Sequence, residues 1–287
     1  MPNTKQHLWL IIPPCADRDD WVASITAQAT DAGFTVINSA ADANTAALGK
    51  TLTLSPDPEE ARKAGVQAKD VAVLLSTSGP LSAKLDADND PAPRHTAVKN
   101  ASDFIRRGYA FFPDRVFKAE DFSGISVKLF PGFSLLGPTS TSTSNRNRAL
   151  KEALSIYAAD HAFWGSEVFD INAKAVRHNK EEVALDLTGR PRFLIFGPYI
   201  VMPAGRWKAV ARIGFSAPTA RHQYRADWGA QDTYTSHHFR PEREGVFQVE
   251  IEYEWDKPSA SEFRLLLLEG AFDGEVTFFG VEIVRVG

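Results

Sequence analysis

With 287 residues, 44% of them hydrophobic and 24% charged, the chain has material for one large or two ordinary domains and the composition of a soluble globular protein. A net charge of -4 and a pI near 6.0 leave no basic footprint, so nucleic acid and an anionic membrane surface are disfavoured as partners. The single cysteine, Cys15, excludes an intrachain disulfide and a cysteine-based zinc site.

The first element is the apolar run Leu8–Ile12, stopped by Pro13 and Pro14. It is too short for the core of a secretory signal and is followed by no small-residue cleavage site in register, so it reads as a buried strand. No apolar stretch approaches the ~20 residues of a spanning helix. The expected location is the cytoplasm, with association with the cell surface left open. From Asp17 to Ala32, residues Trp21, Val22, Ile25 and Ala29 recur at helical spacing, and Gly33 suits the helix end. Phe34–Ile37 is the next strand. The loop from Pro13 to Asp17 then lies at a strand's carboxyl end, where open α/β sheets bind ligands, but it lacks the glycines of a dinucleotide site. Asp17, Asp19 and Asp20 read as carboxylates facing a helix dipole rather than as metal ligands.

A short strand at 50–54, a capped helix from Ser55 to Gly65 and the apolar run Val71–Leu75 continue the alternation. The element order predicts a Rossmann-like α/β domain, taken here as residues 1–165. Ser76 to Arg94 reads as a long surface loop, Ala97–Tyr109 as a helix and Gly124–Leu129 as a strand. The hydroxyl-rich run Thr139–Ser144 precedes Asn145, Arg146 and Arg148 at the start of another helix. Thr143, Ser144, Asn145, Arg146 and Arg148 are therefore a candidate anion or phosphate site. The competing reading, a loop ending in a helix cap, is slightly favoured. Asp160 and His161 stand next to each other, followed by Phe163 and Trp164, but no Ser or Cys occurs in a nucleophile context, so this aromatic cluster is assigned to interdomain packing. No catalytic residue and no cofactor is expected.

From Val168 onward, β-type runs recur every 8–15 residues: 168–176, 183–187, 192–196, 206–215, 222–228, 233–239, 246–255, 263–269 and 275–286. In Arg206–Phe215, Trp207, Ala209, Ala211, Ile213 and Phe215 share one face, which assigns Trp207 to the core. In Val246–Trp255, Gln248, Glu250, Glu252 and Glu254 share a solvated face. These strands predict an antiparallel β-sandwich of jelly-roll type over residues 166–287. The chain class is thus two-domain, α/β followed by all-β.

The stretch Leu187–Trp207, with its Gly197-Pro198-Tyr199 turn and the strand opening Pro203-Ala204-Gly205-Arg206-Trp207, resembles carbohydrate-binding-like jelly-roll modules of bacterial surface-polysaccharide proteins. Residues 221–229, the turn 240–245 and residues 265–283 continue the resemblance, which covers roughly residues 166–287; the N-terminal half resembles no known family. The resemblance implies glycan binding, with a saccharide or polysaccharide as partner, and transfers no individual residue. The chemistry of sugar binding, rings on CH faces and polar groups on hydroxyls, selects candidates instead. They are Tyr199, Tyr224, Arg225, Asp227, Trp228, Tyr234, His237 and His238, with Asp232 in the same segment. His237 and His238 are adjacent and would face opposite sides of a strand, so no shared metal is expected. The first functional expectation is a non-catalytic, lectin-like glycan-binding protein, with a homo-oligomer left open. The alternative is an enzyme or accessory subunit of polysaccharide biosynthesis, acting on a nucleotide-sugar or phosphorylated substrate in the N-terminal domain.

Overall fold

The structure, a computed structural model, describes residues 6–38, 49–76, 78–82, 84–85, 90–122, 125–137, 143–171, 175–177, 182–230 and 232–287. The chain forms two compact units, Met1–Asp88 with Asn100–Arg148, and Asn89–Lys99 with Ala149–Gly287. Among the described residues no helix is long and apolar enough to cross a membrane.

The first unit is built on a parallel sheet of β1 (Gln6–Ile11), β2 (Thr35–Ile37), β3 (Lys50–Ser55), β4 (Val71–Leu75) and β5 (Val116–Lys118). Strands β1 and β4 are apolar on both sides because both sheet faces are covered. Leu8, Leu10, Leu52, Leu54, Ala72 and Leu74 pack with Trp21, Ile25 and Ala29 of α1 (Arg18–Asp31). Trp9, Ile11, Val71 and Val73 pack on the other side with Ala61 of α2 (Pro58–Lys63). Helix α1 closes through Gly33 at φ 80°, a conformation that costs glycine nothing. The hairpin of β6 (Ser126–Phe130) and β7 (Phe133–Leu136) adds Phe130, Phe133 and Leu135 to the α1 side.

The strand order is β2-β3-β1-β4-β5. A dinucleotide-binding fold places its second strand beside the first, in the order 3-2-1-4-5. Here the three-residue β2 stands at the edge, and β3, buried from Thr51 onward, takes the place beside β1. The expected Rossmann-like order is therefore not the one observed.

At the carboxyl end of β1 the loop is tied down rather than open. The Ala16 N–H donates to the Gly79 carbonyl at 3.1 Å. Buried Asp17 accepts from Trp21 Nε1 at 3.1 Å and from the hydroxyls of Ser76 and Ser78. It therefore serves as an internal anchor of the loop. Among the described residues no group of three His, Cys, Asp or Glu side chains converges as for a metal. Burial first, then the charge of Asp17, push the Cys15 thiol from 9.0 up to about 12. At pH 8 its thiolate population should be roughly a thousandfold below that of an exposed thiol. Alkylation of the native protein is expected to be slow and to accelerate steeply in urea; native and unfolded rates within tenfold of each other would contradict this burial. Because the native pKa is the higher one, the unfolded chain releases its proton first, so the thiol's contribution to stability is lost as pH rises from about 9 toward 12.

The second unit contains two antiparallel sheets packed face to face. One consists of β10 (Ala175–Arg177), β11 (Val183–Asp186), β18 (Glu275–Arg285), β13 (Gly205–Phe215) and β16 (Gly245–Trp255), with β8 (His161–Trp164) also paired to β18. The other runs β15 (Thr233–Phe239), β14 (Tyr224–Ala230), β17 (Ser259–Leu267), β12 (Arg192–Met202) and β9 (Asp170–Ile171). Aromatic rings fill the space between them. Phe169 lies 5.2 Å from Phe278 and 6.2 Å from Phe263, Trp228 lies 4.8 Å from Trp255, and Trp207 is buried as its alternation requires.

Two expectations are corrected here. His161–Trp164 is a strand of the sandwich, bonded to β18 with Trp164 fully buried, so the second unit takes in residues from Ala149 and no boundary falls at 165. The Gly197-Pro198-Tyr199 segment does not end a strand: β12 runs through it for 11 residues, with a register shift between Pro198 and Val201. On the outer side of β13 and β16, Lys208 pairs with Glu250 at 3.2 Å and Arg206 with Glu252. Such exposed pairs contribute about 0.2–1 kcal/mol each, which makes this face a structural one.

Candidate functional site

The alternation of β17 points Phe263 and Leu265 into the core, so Glu262, Arg264 and Leu266 face outward. Register extends these positions across the sheet. Arg264 stands opposite Asp227 of β14 and Phe196 of β12; Asp227 stands opposite Ser236 of β15, and Phe196 opposite Asp170 of β9. One outward row thus crosses all five strands: Asp170, Phe196, Arg264, Asp227, Ser236. A flanking row carries Pro198, Glu262, Gly229 and Tyr234, and the row on the other side carries Phe193, Leu266, Arg225 and His238.

Buried carboxylates fix the polar groups of this face. Asp227 has no exposed surface and accepts from Ser236 Oγ at 2.6 Å, Arg264 Nη2 at 2.8 Å and Arg225 Nε at 3.2 Å. Glu262, also buried, accepts from the Tyr199 hydroxyl at 2.8 Å and from the Tyr234 hydroxyl. Burial first and Glu262 next raise both phenols well above their ordinary range, so both remain donors at neutral pH. The Arg264 guanidinium lies 3.7 Å from the centroid of the Tyr234 ring and 5.6 Å from that of Phe193.

One end of the face is closed by the start of α3 (Pro91–Phe111). The His95 ring sits 4.0 Å from the Tyr199 ring, and Asp170 accepts from both Arg94 and His95. The β17-β14-β15 end is left to solvent, with Arg225, Tyr234 and Arg264 half-buried and Ser236 and His238 exposed.

Four of the eight predicted saccharide-binding residues converge on this open end: Arg225, Asp227, Tyr234 and His238. The others lie elsewhere. Tyr199 is buried under His95, at φ 67°. Tyr224 and Trp228 are fully buried on the core side of β14; the Tyr224 hydroxyl donates to the Thr219 carbonyl at 2.8 Å, and its ring stacks on Phe239. Neither ring lies on the outward rows, because the alternation that turns Asp227 outward turns both of them inward. His237 stands opposite Ala226 on that same side of the sheet but is exposed, with its ring stacked on Phe239. Ser236, Glu262, Arg264 and Phe193 escaped prediction. The available signal was Glu262 and Arg264 alternating with apolar residues in Ser259–Leu267.

Beside the His238 row lies a hollow of about 340 Å³, lined by Gln223, Tyr224, His238, Phe239, Arg240 and Leu268. Next to it, His222 Nδ1 and the Gln223 N–H both lie 3.1 Å from Glu269 Oε1, and His222 foremost holds that carboxyl below its ordinary range.

The candidate anion residues of the first unit are engaged in local bonding. The Thr143 hydroxyl donates to the Ser78 carbonyl at 2.7 Å, and Ser144 Oγ caps α4 (Asn145–Ala153) by accepting from the Asn147 N–H at 3.1 Å. Arg148 donates to Asn145 Oδ1, while Arg146 is half-buried. Asn147, which was not predicted, is buried and bonds both backbone groups of Leu81. These residues form a capped helix start pinned to a neighbouring loop. Of the hydroxyl run before them, Thr139 to Ser142 lie outside the described residues.

No protein-family model and no curated protein sequence matches the chain. Solved structures do. A family 16 carbohydrate-binding module is 12% identical, with a TM-score of 0.29, over 45% of this chain and 89% of its own. The C-terminal family 6 module of a laminarinase from Zobellia galactanivorans is 13% identical, with a TM-score of 0.32, over 44% of this chain and 99% of its own. The glycosylation-associated Gap123 complex of Streptococcus agalactiae is 13% identical, with a TM-score of 0.31; the match covers 88% of this chain and spans 49% of that one. Part of the chain is therefore similar to carbohydrate-binding modules. Identities and scores this low transfer no residue, ligand or activity.

Proposed function

We propose that the second unit is a non-catalytic, lectin-like saccharide-binding module whose site is the open end of the five-stranded sheet. The observation that supports this most directly is the fixed row Arg264-Asp227-Ser236, flanked by Tyr234 on one side and Arg225 on the other. A sugar needs an apolar ring surface for its CH face and aligned donors and acceptors for its hydroxyls. Here the donors and acceptors are held by Asp227 and Glu262 before any ligand arrives, which lowers the ordering cost of binding. The opposite sheet's outer face differs, carrying the cross-strand pairs Arg206–Glu252 and Lys208–Glu250.

The test is a broad glycan array probed with the full chain, followed by calorimetric titration of the best binder. Tyr234→Ala is expected to weaken binding at least tenfold, since stacking and the hold on Glu262 are both lost. Failure to bind any glycan would remove the reading.

A further inference from the structure

We infer that the saccharide recognised here is acidic, with its carboxylate, sulfate or phosphate ester held in the hollow by Arg240 and His238. The inference rests on the saccharide reading above and names the ligand class of that site. The hollow's polar lining offers hydrogen-bond donors and no negative charge. Arg240 contributes a guanidinium, His238 an imidazole and Gln223 an amide, and no carboxylate is among the six lining residues. The Tyr224 hydroxyl is already spent on the Thr219 carbonyl.

The charge balance separates this end of the sheet from the rest. Arg225 and Arg264 share Asp227, and Arg94 is paired with Asp170. The Arg240 and His238 side chains are both exposed, and neither is a partner in these ion pairs. The carboxylate that senses Arg240 is Glu269, whose Oε1 already faces His222 and the Gln223 N–H. Glu242 and Glu244, the acids nearest in sequence, do not line the hollow.

A guanidinium left in this state is suited to an oxyanion, which its fork can engage through two parallel bonds. At about 340 Å³ the hollow is within the size range of small-ligand sites. It is also continuous with the proposed face, because His238 lines it and stands opposite Arg225 in the outward row. Tyr234 and His238 are four residues apart on one strand, about 13 Å. A glycan chain lying across Tyr234 would thus present a pendant acid to Arg240 only if it extends beyond one ring.

The experiment uses the full chain on an array of matched pairs: trigalacturonate with its methyl ester, and sulfated and phosphorylated oligosaccharides with their unmodified parents. The best pair is then titrated against wild type, Arg240→Gln and His238→Gln. The expected result is that acidic members bind at least tenfold tighter than their neutral partners. Arg240→Gln should erase that preference and leave affinity for the neutral partner unchanged. The identity of the preferred pair tells carboxylate from sulfate or phosphate. Equal binding of both members, or an acidic preference that survives Arg240→Gln, overturns the inference and leaves the saccharide reading standing. No binding to any glycan removes both.

Discussion

Asp227→Ala is expected to destabilise the second unit by about 3 kcal/mol and to lower saccharide affinity at least tenfold. Asp227 is fully buried and accepts three hydrogen bonds, two of them from guanidinium groups. Alanine leaves Arg225 and Arg264 side by side with no counter-ion between them and leaves the Ser236 hydroxyl undirected. Removing one partner of a buried ion pair costs about 3–5 kcal/mol. The low end applies because both guanidiniums are partly exposed, at 31% and 19% of their side-chain surface, and can turn to water. The affinity loss follows from the same geometry, since Arg264 is positioned over Tyr234 by the bond it gives to Asp227. Urea unfolding would measure the first effect and calorimetry the second. A double-mutant cycle with Arg264→Met should show a coupling of about 1–3 kcal/mol. A cost below about 0.5 kcal/mol for Asp227→Ala would mean that this carboxylate does not organise the face.

The strands of the second unit are legible because their side chains alternate. Arg206–Phe215 and Val246–Trp255 sort their apolar residues to one side, Val210 and Val246 excepted, and the two strands pair through all eleven positions. The site was harder to read, for two physical reasons. Aromatic residues are both core mass and sugar platforms, so residue chemistry alone groups Tyr224 and Trp228 with Arg225 and Asp227 although successive residues of a strand face opposite ways. Convergence also depends on sheet order. Arg264 meets Asp227 only because β17 lies beside β14, a neighbour relation that no local pattern encodes. The same holds for β3 between β2 and β1, and for the His95 end of α3 against Tyr199. The Gly-Pro pair misleads for a separate reason. Among the described residues β9 pairs with β12 only at Ile195 and Phe196, so Pro198 owes no ladder bond on that side and the strand continues past it.

Trp228→Ala should cost about 3–5 kcal/mol, because it opens a large cavity between two packed sheets. The ring is fully buried, edge-on to Trp255 at 4.8 Å, and Trp255 in turn lies 4.5 Å from Tyr253. Trp228→Phe keeps most of the apolar contact and discards an indole N–H that finds no hydrogen-bond partner among the described residues. Its cost should therefore be smaller, about 1–2 kcal/mol. The phenylalanine variant then separates packing from recognition. Folded and titrated well below its unfolding temperature, it should bind saccharide with wild-type affinity, because Trp228 lies on the opposite side of β14 from Asp227. Lost affinity in a variant with wild-type far-ultraviolet dichroism and a cooperative unfolding transition would place the ligand on the core side of that strand. The outward rows would then not be the site, and Arg225, Tyr234 and Arg264 would lose their assigned role with them.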